Sequence, residues 1–271
     1  MLTRDDLLAA LAAIRETAPV RADEVTGSTN ATAMALAEDG APGWTLVSAV
    51  HQTDGRGRLG RTWVDVPGRA FIVSVVLRPT LAPARAGLLS LAAGASMAGA
   101  IREVGGRSAT CKWPNDVLVD GAKVGGILSE SSVAGERLRH VVVGVGVNLE
   151  APPGVEGAAG IGEVGSRGLL VAFVTRFHGL YEGEDLELAA RVKSAWLPLS
   201  STMGRVVEAA TTDGRTARGR AFGLDDFGGL LLSTDEGERA VAFGDVQHLE
   251  EPGGGPGDRT APPVAGPGSG G

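Results

Sequence analysis

The sequence predicts an α+β fold: a mixed, largely antiparallel sheet packed with helices, followed by a small C-terminal β-barrel. Three observations predict it. A length of 271 residues suits one large domain plus a small one. Between Trp44 and Leu149 the strand patterns are linked by short hairpin signals at Asp120-Gly121 and Ala134-Gly135, with helical patterns on either side and in the middle. From Met203 to Glu250 the chain turns into short strands with tight turns, the pattern of a small barrel.

The elements follow in order. Residues 5–16 form a short Ala/Leu-rich amphipathic helix, too short and isolated to be a three-helix DNA-reading head. The N-cap run Thr26-Gly27-Ser28-Thr29-Asn30 opens a helix from Ala31 to Glu38, and Gly40 stops it. Trp44–Val50 alternates as a strand, and Ala70–Leu77 is a second, bounded by Gly68 and Pro79. A polar, glycine-rich loop from His51 to Thr62 lies between them. Pro83–Val104 is the best helix in the chain, ended by Gly105-Gly106. Strands return at Ser108–Lys112, Val117–Val119, Lys123–Ser131 and Arg137–Leu149. Two helices follow, at Ser166–Glu182 and Leu186–Trp196. Turn signals at Asp213-Gly214, Asp226–Gly229 and Glu236-Gly237 divide the last strands. The expected organisation is a main domain over residues 1–200, a barrel over 203–250 and a disordered tail over 252–271, where 13 of 20 residues are Gly or Pro.

Composition excludes several classes. No run approaches 18 consecutive apolar residues, so no membrane span is expected, and Met1–Asp6 lacks the start of a secretory signal. A single cysteine, Cys111, allows no internal disulfide and no Cys-based zinc site; with four scattered histidines, a reducing cytoplasm is the expected compartment. The formal charge of −7 argues against a general nucleic-acid binder. The 25 basic residues are 22 arginines and only three lysines, Lys112, Lys123 and Lys193, so each lysine raises the question of why a compact ammonium stands there. Glycine is also unusual. There are 42, of which 34 remain outside the tail, still nearly twice ordinary usage.

Several segments carry chemistry. Gly55-Arg56-Gly57-Arg58-Leu59-Gly60 has the spacing of a dinucleotide-binding fingerprint, but Arg61–Gly68 has no helical periodicity and contains Pro67, so that reading fails. Residues 54–61 still carry a net +2 on a flexible backbone, which fits either an anion site or a solvated surface loop. Lys112-Trp113-Pro114-Asn115-Asp116 presents an ammonium, an amide and a carboxylate together. Lys123-Val124-Gly125-Gly126-Ile127-Leu128 opens a strand with room against its backbone, and Lys112 and Lys123 are expected on neighbouring strands. Asp116 beside a phosphate-binding surface suits Mg²⁺, or serves simply as a turn former. Gly144-Val145-Gly146-Val147-Asn148 reads as a buried strand ending in an amide, and Gly27–Asn30 as an N-cap cluster that would also suit a small polar ligand.

Taken in order, Gly27–Asn30, His51-Gln52-Thr53 with the glycine loop through Trp63, Lys112–Asp116, Lys123–Leu128 and Gly144–Asn148 resemble the biotin–protein ligases. The resemblance runs from about residue 20 to 150. It implies a class II aminoacyl-tRNA-synthetase-like catalytic domain, an SH3-like C-terminal barrel and a two-step reaction. Biotin's carboxylate attacks the α-phosphate of ATP to give biotinyl-5′-AMP and pyrophosphate; a lysine of a biotin carboxyl carrier domain, such as that of acetyl-CoA carboxylase, then displaces AMP. It further implies biotin contacts from Ser28, Thr29, Asn30, Gln52, Arg56, Gly57, Arg58 and Lys123, and nucleotide contacts from Arg61, Trp63, Lys112, Asn115 and Asn148. Catalysis falls to Lys123, Arg58 and Lys112, with Mg²⁺ on Asp116 and no zinc, haem or flavin. Leu59 and Asp54 depart from the family's pattern and make the loop less cationic. With no DNA-reading head expected, neither DNA nor membrane is an anticipated partner, and the enzyme is a monomer or homodimer. A lipoate ligase would share the fold but carry other glycine and lysine signatures; a sensing module would not need the carboxylate at Asp116. The glycines at 55–60, 125–126 and 144–146 are expected where backbone comes close to biotinyl-AMP.

Overall fold

A computed structural model describes residues 1–182, 187–211, 216–242 and 244–249. The elements of the main domain are α1 (Arg4–Ala13), β1 (Val20–Thr26), α2 (Thr29–Glu38), β2 (Leu46–Gln52), β3 (Ala70–Leu77), α3 (Gly87–Gly105), β4 (Ala109–Lys112), β5 (Asp116–Val119), β6 (Ala122–Ala134), β7 (Arg137–Asn148), α4 (Ser166–Tyr181) and α5 (Leu188–Trp196). Seven strands form one sheet in the order β1-β2-β3-β7-β6-β5-β4. Only the β1–β2 pair is parallel; every other neighbouring pair is antiparallel. This is the mixed, largely antiparallel sheet that the hairpin signals indicate. The strand absent from the sequence reading is β1. Its polar sequence, Val-Arg-Ala-Asp-Glu-Val-Thr, hides the alternation because it lies at an edge of the sheet and needs no buried face.

One face of the sheet carries most of the core. Val73, Val75, Leu77, Val141, Val143, Val145 and Ile127 project onto it and pack with α1, α3 and α4. α3 is the centre of this layer. By length and composition, Pro83–Gly105 is apolar enough to cross a membrane, and 72% of that window is buried inside the protein. Burying Leu88, Leu89, Leu91, Met97 and Ile101 stabilises the packed helix by about 1.5–3 kcal/mol each, so α3 is accounted for as a core helix. A short 3₁₀ turn at Pro83–Arg85 precedes it, and Gly106 at φ 61° ends it in the left-handed conformation that favours glycine.

The opposite face is only partly covered. α2 packs Ala33 and Ala37 onto Val47, Val76 and Val142, a small second core. Beyond the N-terminus of α2 the same face is left open over β6 and β7, and there the site lies. The C-terminal strands β8 (Val206–Thr211), β9 (Thr216–Leu224), β10 (Leu230–Thr234), β11 (Gly237–Val241) and β12 (Gly244–His248) form an antiparallel sheet in the order β11-β10-β9-β8-β12. This is the small all-β unit expected over 203–250. Among the described residues its pairing runs from β11 to β12 without joining the two. The expected turn at Asp213-Gly214 and the tail from Pro252 lie outside the described residues.

Candidate functional site

A cavity of about 560 Å³ occupies the open sheet face. Its floor is β6 and β7, the N-terminus of α2 forms one wall, the glycine loop forms another, and the turn between β4 and β5 forms a third. The C-terminal sheet contributes Glu208, Ala210, Val246 and Gln247, none of which the sequence reading singles out. The signal was faint: Val207 and Ala209 are buried within their own sheet, so Glu208 and Ala210 lie on its other face, towards the cavity.

The floor depends on a β-bulge. Asp116 faces Gly126 across the β5–β6 ladder, but after a register shift Leu118 faces Lys123. Directly opposed residues in an antiparallel pair share a face, so the extra residue turns Lys123 onto the face of Asp116 and Gly126. Simple alternation would place it with Gly125 and Ile127, on the core side. In its observed position Lys123 Nζ lies 2.5 Å from Asp116 Oδ1. Lys112 stands at the end of β4, so β5 separates the two lysines, and the expectation of neighbouring strands is corrected. The reason is that Trp113-Pro114-Asn115 is itself a tight turn that inserts β5 between them; its Trp113–Pro114 peptide is cis.

The polar cradle is built around the start of α2. Thr29 donates to Gln52 Oε1 from both its backbone N–H (2.8 Å) and its hydroxyl (3.1 Å), which satisfies an orphan helix N–H and leaves the Gln52 Nε2 hydrogens for other partners. Ser28 caps the helix through Ala31 N–H. Asn30 behaves differently from its expected role. Its Nδ2 donates to Leu128 O (3.1 Å) and Glu130 Oε2 (2.8 Å), and Ser74 Oγ lies 2.7 Å from its Oδ1. Two acceptors on one side fix the amide's orientation and use both its hydrogens. Asn30 therefore borders the cavity as a structural strut, with both amide donors spent on protein. Ser74 and Glu130, which hold it, escaped the sequence reading because each appears there as one more polar strand residue.

The glycine loop is a hairpin over the cavity. Trp63 N–H donates to Gly55 O (2.9 Å), Arg56 bridges to Thr62, and Gly57 N–H donates to Arg61 O (2.6 Å). At its tip Leu59 adopts φ 55°, a left-handed conformation that is uncommon for a non-glycine residue. The buried carboxylate of Asp65 ties the base, bonding His51 Nδ1 (2.8 Å) and Gln52 N–H (3.2 Å). Inside, Arg58 Nη1 donates to Asn115 Oδ1 (3.2 Å), while Asn115 Nδ2 holds Ile127 O (2.9 Å). Arg56, Gly57, Arg58, Arg61 and Trp63 all line the cavity.

Of the expected site residues, Asn148 alone lies outside the cavity walls. It is buried at the end of β7, with Nδ2 donating to Ala159 O (3.2 Å) and, among the described residues, no hydrogen-bond partner for Oδ1. The expected close approach of glycine backbone to a ligand is also altered. A Cβ on Gly144 would sit 2.1 Å from Asn30 Oδ1, and one on Gly146 would sit 2.8 Å from the Trp63 indole. These glycines make room for the protein's own cavity-lining side chains. On the strand floor Gly126 is the exception, since a Cβ there meets nothing closer than 3.9 Å.

The C-terminal sheet is fastened to the β4–β5 turn by named bonds. Trp113 N–H donates to Thr202 Oγ1 (3.1 Å), Thr202 Oγ1 contacts His248 Nε2 (3.3 Å), and Trp113 Nε1 donates to Gly228 O (3.0 Å). Burial, then the nearby Lys112 and Arg205, push the His248 pKa down to about 4. Burial likewise pushes the Cys111 thiol up to about 12, which leaves it without reactive thiolate. Among the described residues no cluster of three or more His, Cys, Asp or Glu could hold a metal alone. Asp116 supplies one carboxylate, which fits a Mg²⁺ ion completed by substrate phosphates and water.

Known proteins resemble this chain in sequence and in fold. The profile of the Biotin/lipoate A/B protein ligase family matches residues 23–148, and that of the biotin protein ligase C-terminal domain matches residues 202–249. The biotin–[acetyl-CoA-carboxylase] ligase of Paracoccus denitrificans is 35% identical over 239 residues, spanning 82% of this chain and 97% of that protein. The bifunctional ligase/repressor BirA of Bacillus subtilis (strain 168) is 33% identical over 236 residues, 83% of this chain and 72% of its own length. A biotin protein ligase from Aquifex aeolicus, solved in complex with biotin and ATP, has the same fold, with a TM-score of 0.68 at 24% identity over 85% of this chain and 99% of that one. With relatives this similar over most of their own length, and a cavity lined by the residues their resemblance points to, the chain belongs to the biotin protein ligase family.

Proposed function

We propose that the chain is an ATP-dependent ligase that attaches biotin to one lysine of a biotin carboxyl carrier domain, through biotinyl-5′-AMP. The observation that carries this reading is the order of groups along β6. Lys123 comes first, Gly126 beside Asp116 next, then Leu128 and Glu130 beside the Asn30 strut. A polar cradle and a cationic cluster thus share one cavity a few residues apart, at about 3.3 Å per residue. Thr29, Ser28 and Gln52 suit an uncharged ring of amide character. Lys112, Lys123 and Arg58 suit a carboxylate and a phosphate chain.

Both substrates of the first step are anions, so cations must lie between them. A single opposite charge at 4 Å contributes about 4 kcal/mol in an effective dielectric near 20. Lys123 and Arg58 neutralise the attacking carboxylate and the α-phosphate as the new P–O bond forms and pyrophosphate leaves. Holding both in a near-attack pose contributes about 7–11 kcal/mol. Arg58 and Asn115 link the loop to the turn beneath it, so loop closure also shields the mixed anhydride from water. In the second step the uncharged lysine nitrogen attacks the biotinyl carbonyl carbon, the C–O bond to AMP breaks, AMP departs, and the nitrogen gives up one proton to water. Mg²⁺, when bound, supplies charge neutralisation at the phosphates, and Asp116 would hold it. We further read the C-terminal sheet as a small SH3-like barrel, supported by the closeness in sequence of its edge strands: β11 ends at Val241 and β12 begins at Gly244.

Incubation with ATP, Mg²⁺, biotin and a carrier domain should add the mass of one biotinyl group to one lysine. A carrier left unmodified, with no biotin-dependent exchange of pyrophosphate into ATP, would overturn the assignment.

A further inference from the structure

Glu130 lies outside the cavity walls, yet its carboxylate touches two parts of the site. Oε2 accepts from Asn30 Nδ2 at 2.8 Å, and Oε1 stands 3.7 Å from Arg56 Nη1. Asn30 belongs to the cradle at the start of α2; Arg56 belongs to the glycine loop. We propose that Glu130 is a positioning residue that latches the loop to the cradle and so holds the loop closed over the cavity. This rests on the biotin ligase reading of the cavity.

Three features support it. Asn30 is held from three sides, by Ser74, Leu128 O and Glu130, so the oxygen that bonds it is fixed in place. The other oxygen is then presented to the loop at a set position. The side chain of Glu130 is 31% exposed and that of Arg56 is 47% exposed, so the pair can open and re-form as the loop moves. Glu130 also sits on the same face of β6 as Gly126 and Leu128, four and two residues away, which aligns the latch with the cavity floor.

Glu130→Gln separates the two contacts. The carboxamide oxygen can still accept from Asn30, but its NH₂ then faces the Arg56 guanidinium, donor against donor. Loop opening can be read by trypsin cleavage after Arg58 and Arg61, two sites that every variant keeps. The expected result is an unchanged melting temperature, loop cleavage about two- to fivefold faster than in the wild type, and biotin release accelerated by a similar factor. Arg56→Gln should show the same loop cleavage, and the double variant should add nothing further. Equal cleavage of Glu130→Gln and wild type, or additive effects in the double variant, would overturn the latch. So would faster cleavage spread along the whole chain with a lowered melting temperature. The arm without biotin judges the latch by itself, whereas failure of biotin to protect the wild-type loop would count against the ligase reading instead.

Discussion

Gly144→Ala puts the construction of the cradle to a direct test. The new methyl group would sit 2.1 Å from Asn30 Oδ1 and 2.8 Å from its Cγ, far inside contact distance. The amide cannot turn away cheaply, because Ser74, Leu128 O and Glu130 hold it at 2.7, 3.1 and 2.8 Å. Expelling it breaks two neutral hydrogen bonds, at about 0.5–1.5 kcal/mol each, and one to a carboxylate, at about 1.5–3 kcal/mol. If the amide stays, overpacking costs about 1–3 kcal/mol and the strain passes into the backbone of α2. Overpacking is the cheaper route and sets the expected loss, about 1 to 3 kcal/mol. At about 2–4 °C per kcal/mol for a chain of this size, the melting temperature should drop on the order of 2–12 °C. Urea unfolding and calorimetry measure the loss, and biotin titration should show weakened binding because Thr29 moves with Asn30. The mechanism carries its own control: Asn30→Ala in the Gly144→Ala background should cost far less than in the wild type. A loss under about 0.5 kcal/mol with unchanged biotin affinity would show that Gly144 does not seat the Asn30 amide.

Gly126→Ala should behave in the opposite way, folding with near wild-type stability because its Cβ has room at 3.9 Å, yet binding biotin and ATP poorly because the methyl group enters the cavity between Lys123 and Asp116; a stable variant with normal activity would contradict that placement. Lys123→Ala should abolish biotin-dependent ATP–pyrophosphate exchange and leave the fold intact, since its side chain is 43% exposed; near-normal exchange would remove Lys123 from the mechanism. His248, held down to about 4 from 6.5, refuses a proton that the unfolded chain accepts, so its contribution to stability is complete above pH 6.5 and lost as pH falls toward 4. Melting temperature should therefore decline more steeply with acid in the wild type than in His248→Gln, and parallel curves would show that the group is not linked to folding.

The sequence makes most of the fold legible because hairpin signals such as Asp120-Gly121 act locally, and α3 and β3 bury long apolar patterns. β1 was illegible for a physical reason: an edge strand has one exposed side and need not advertise a buried face. The cavity walls were legible as motifs, since Thr29, Gln52, Arg58, Asn115, Asp116 and Lys123 all meet there. What could not be read was which face each residue takes. The bulge that turns Lys123 toward Asp116 is one extra residue in a ladder, visible only in the pairing. Glu208 and Gln247 were hidden for a different reason, because they reach the cavity from a sheet more than 90 residues later in the chain than Asp116.

The glycine excess has a different meaning once the geometry is known. A glycine that faces a cavity could serve the ligand or serve the neighbouring protein groups, and the two uses predict different consequences of adding a methyl. At Gly144 and Gly146 the space is already taken, by Asn30 and by the Trp63 indole, which bring a strut and a flat apolar surface down against the strand. Seating these groups against bare backbone fixes them before any substrate arrives, and fixed dipoles need no reorganisation when charge develops. Gly126 keeps its space open at the one point of the floor flanked by Lys123 and Asp116. The floor thus combines two opposite uses of the same residue: filled glycines that seat the protein's own side chains, and an open one that leaves space between Lys123 and Asp116.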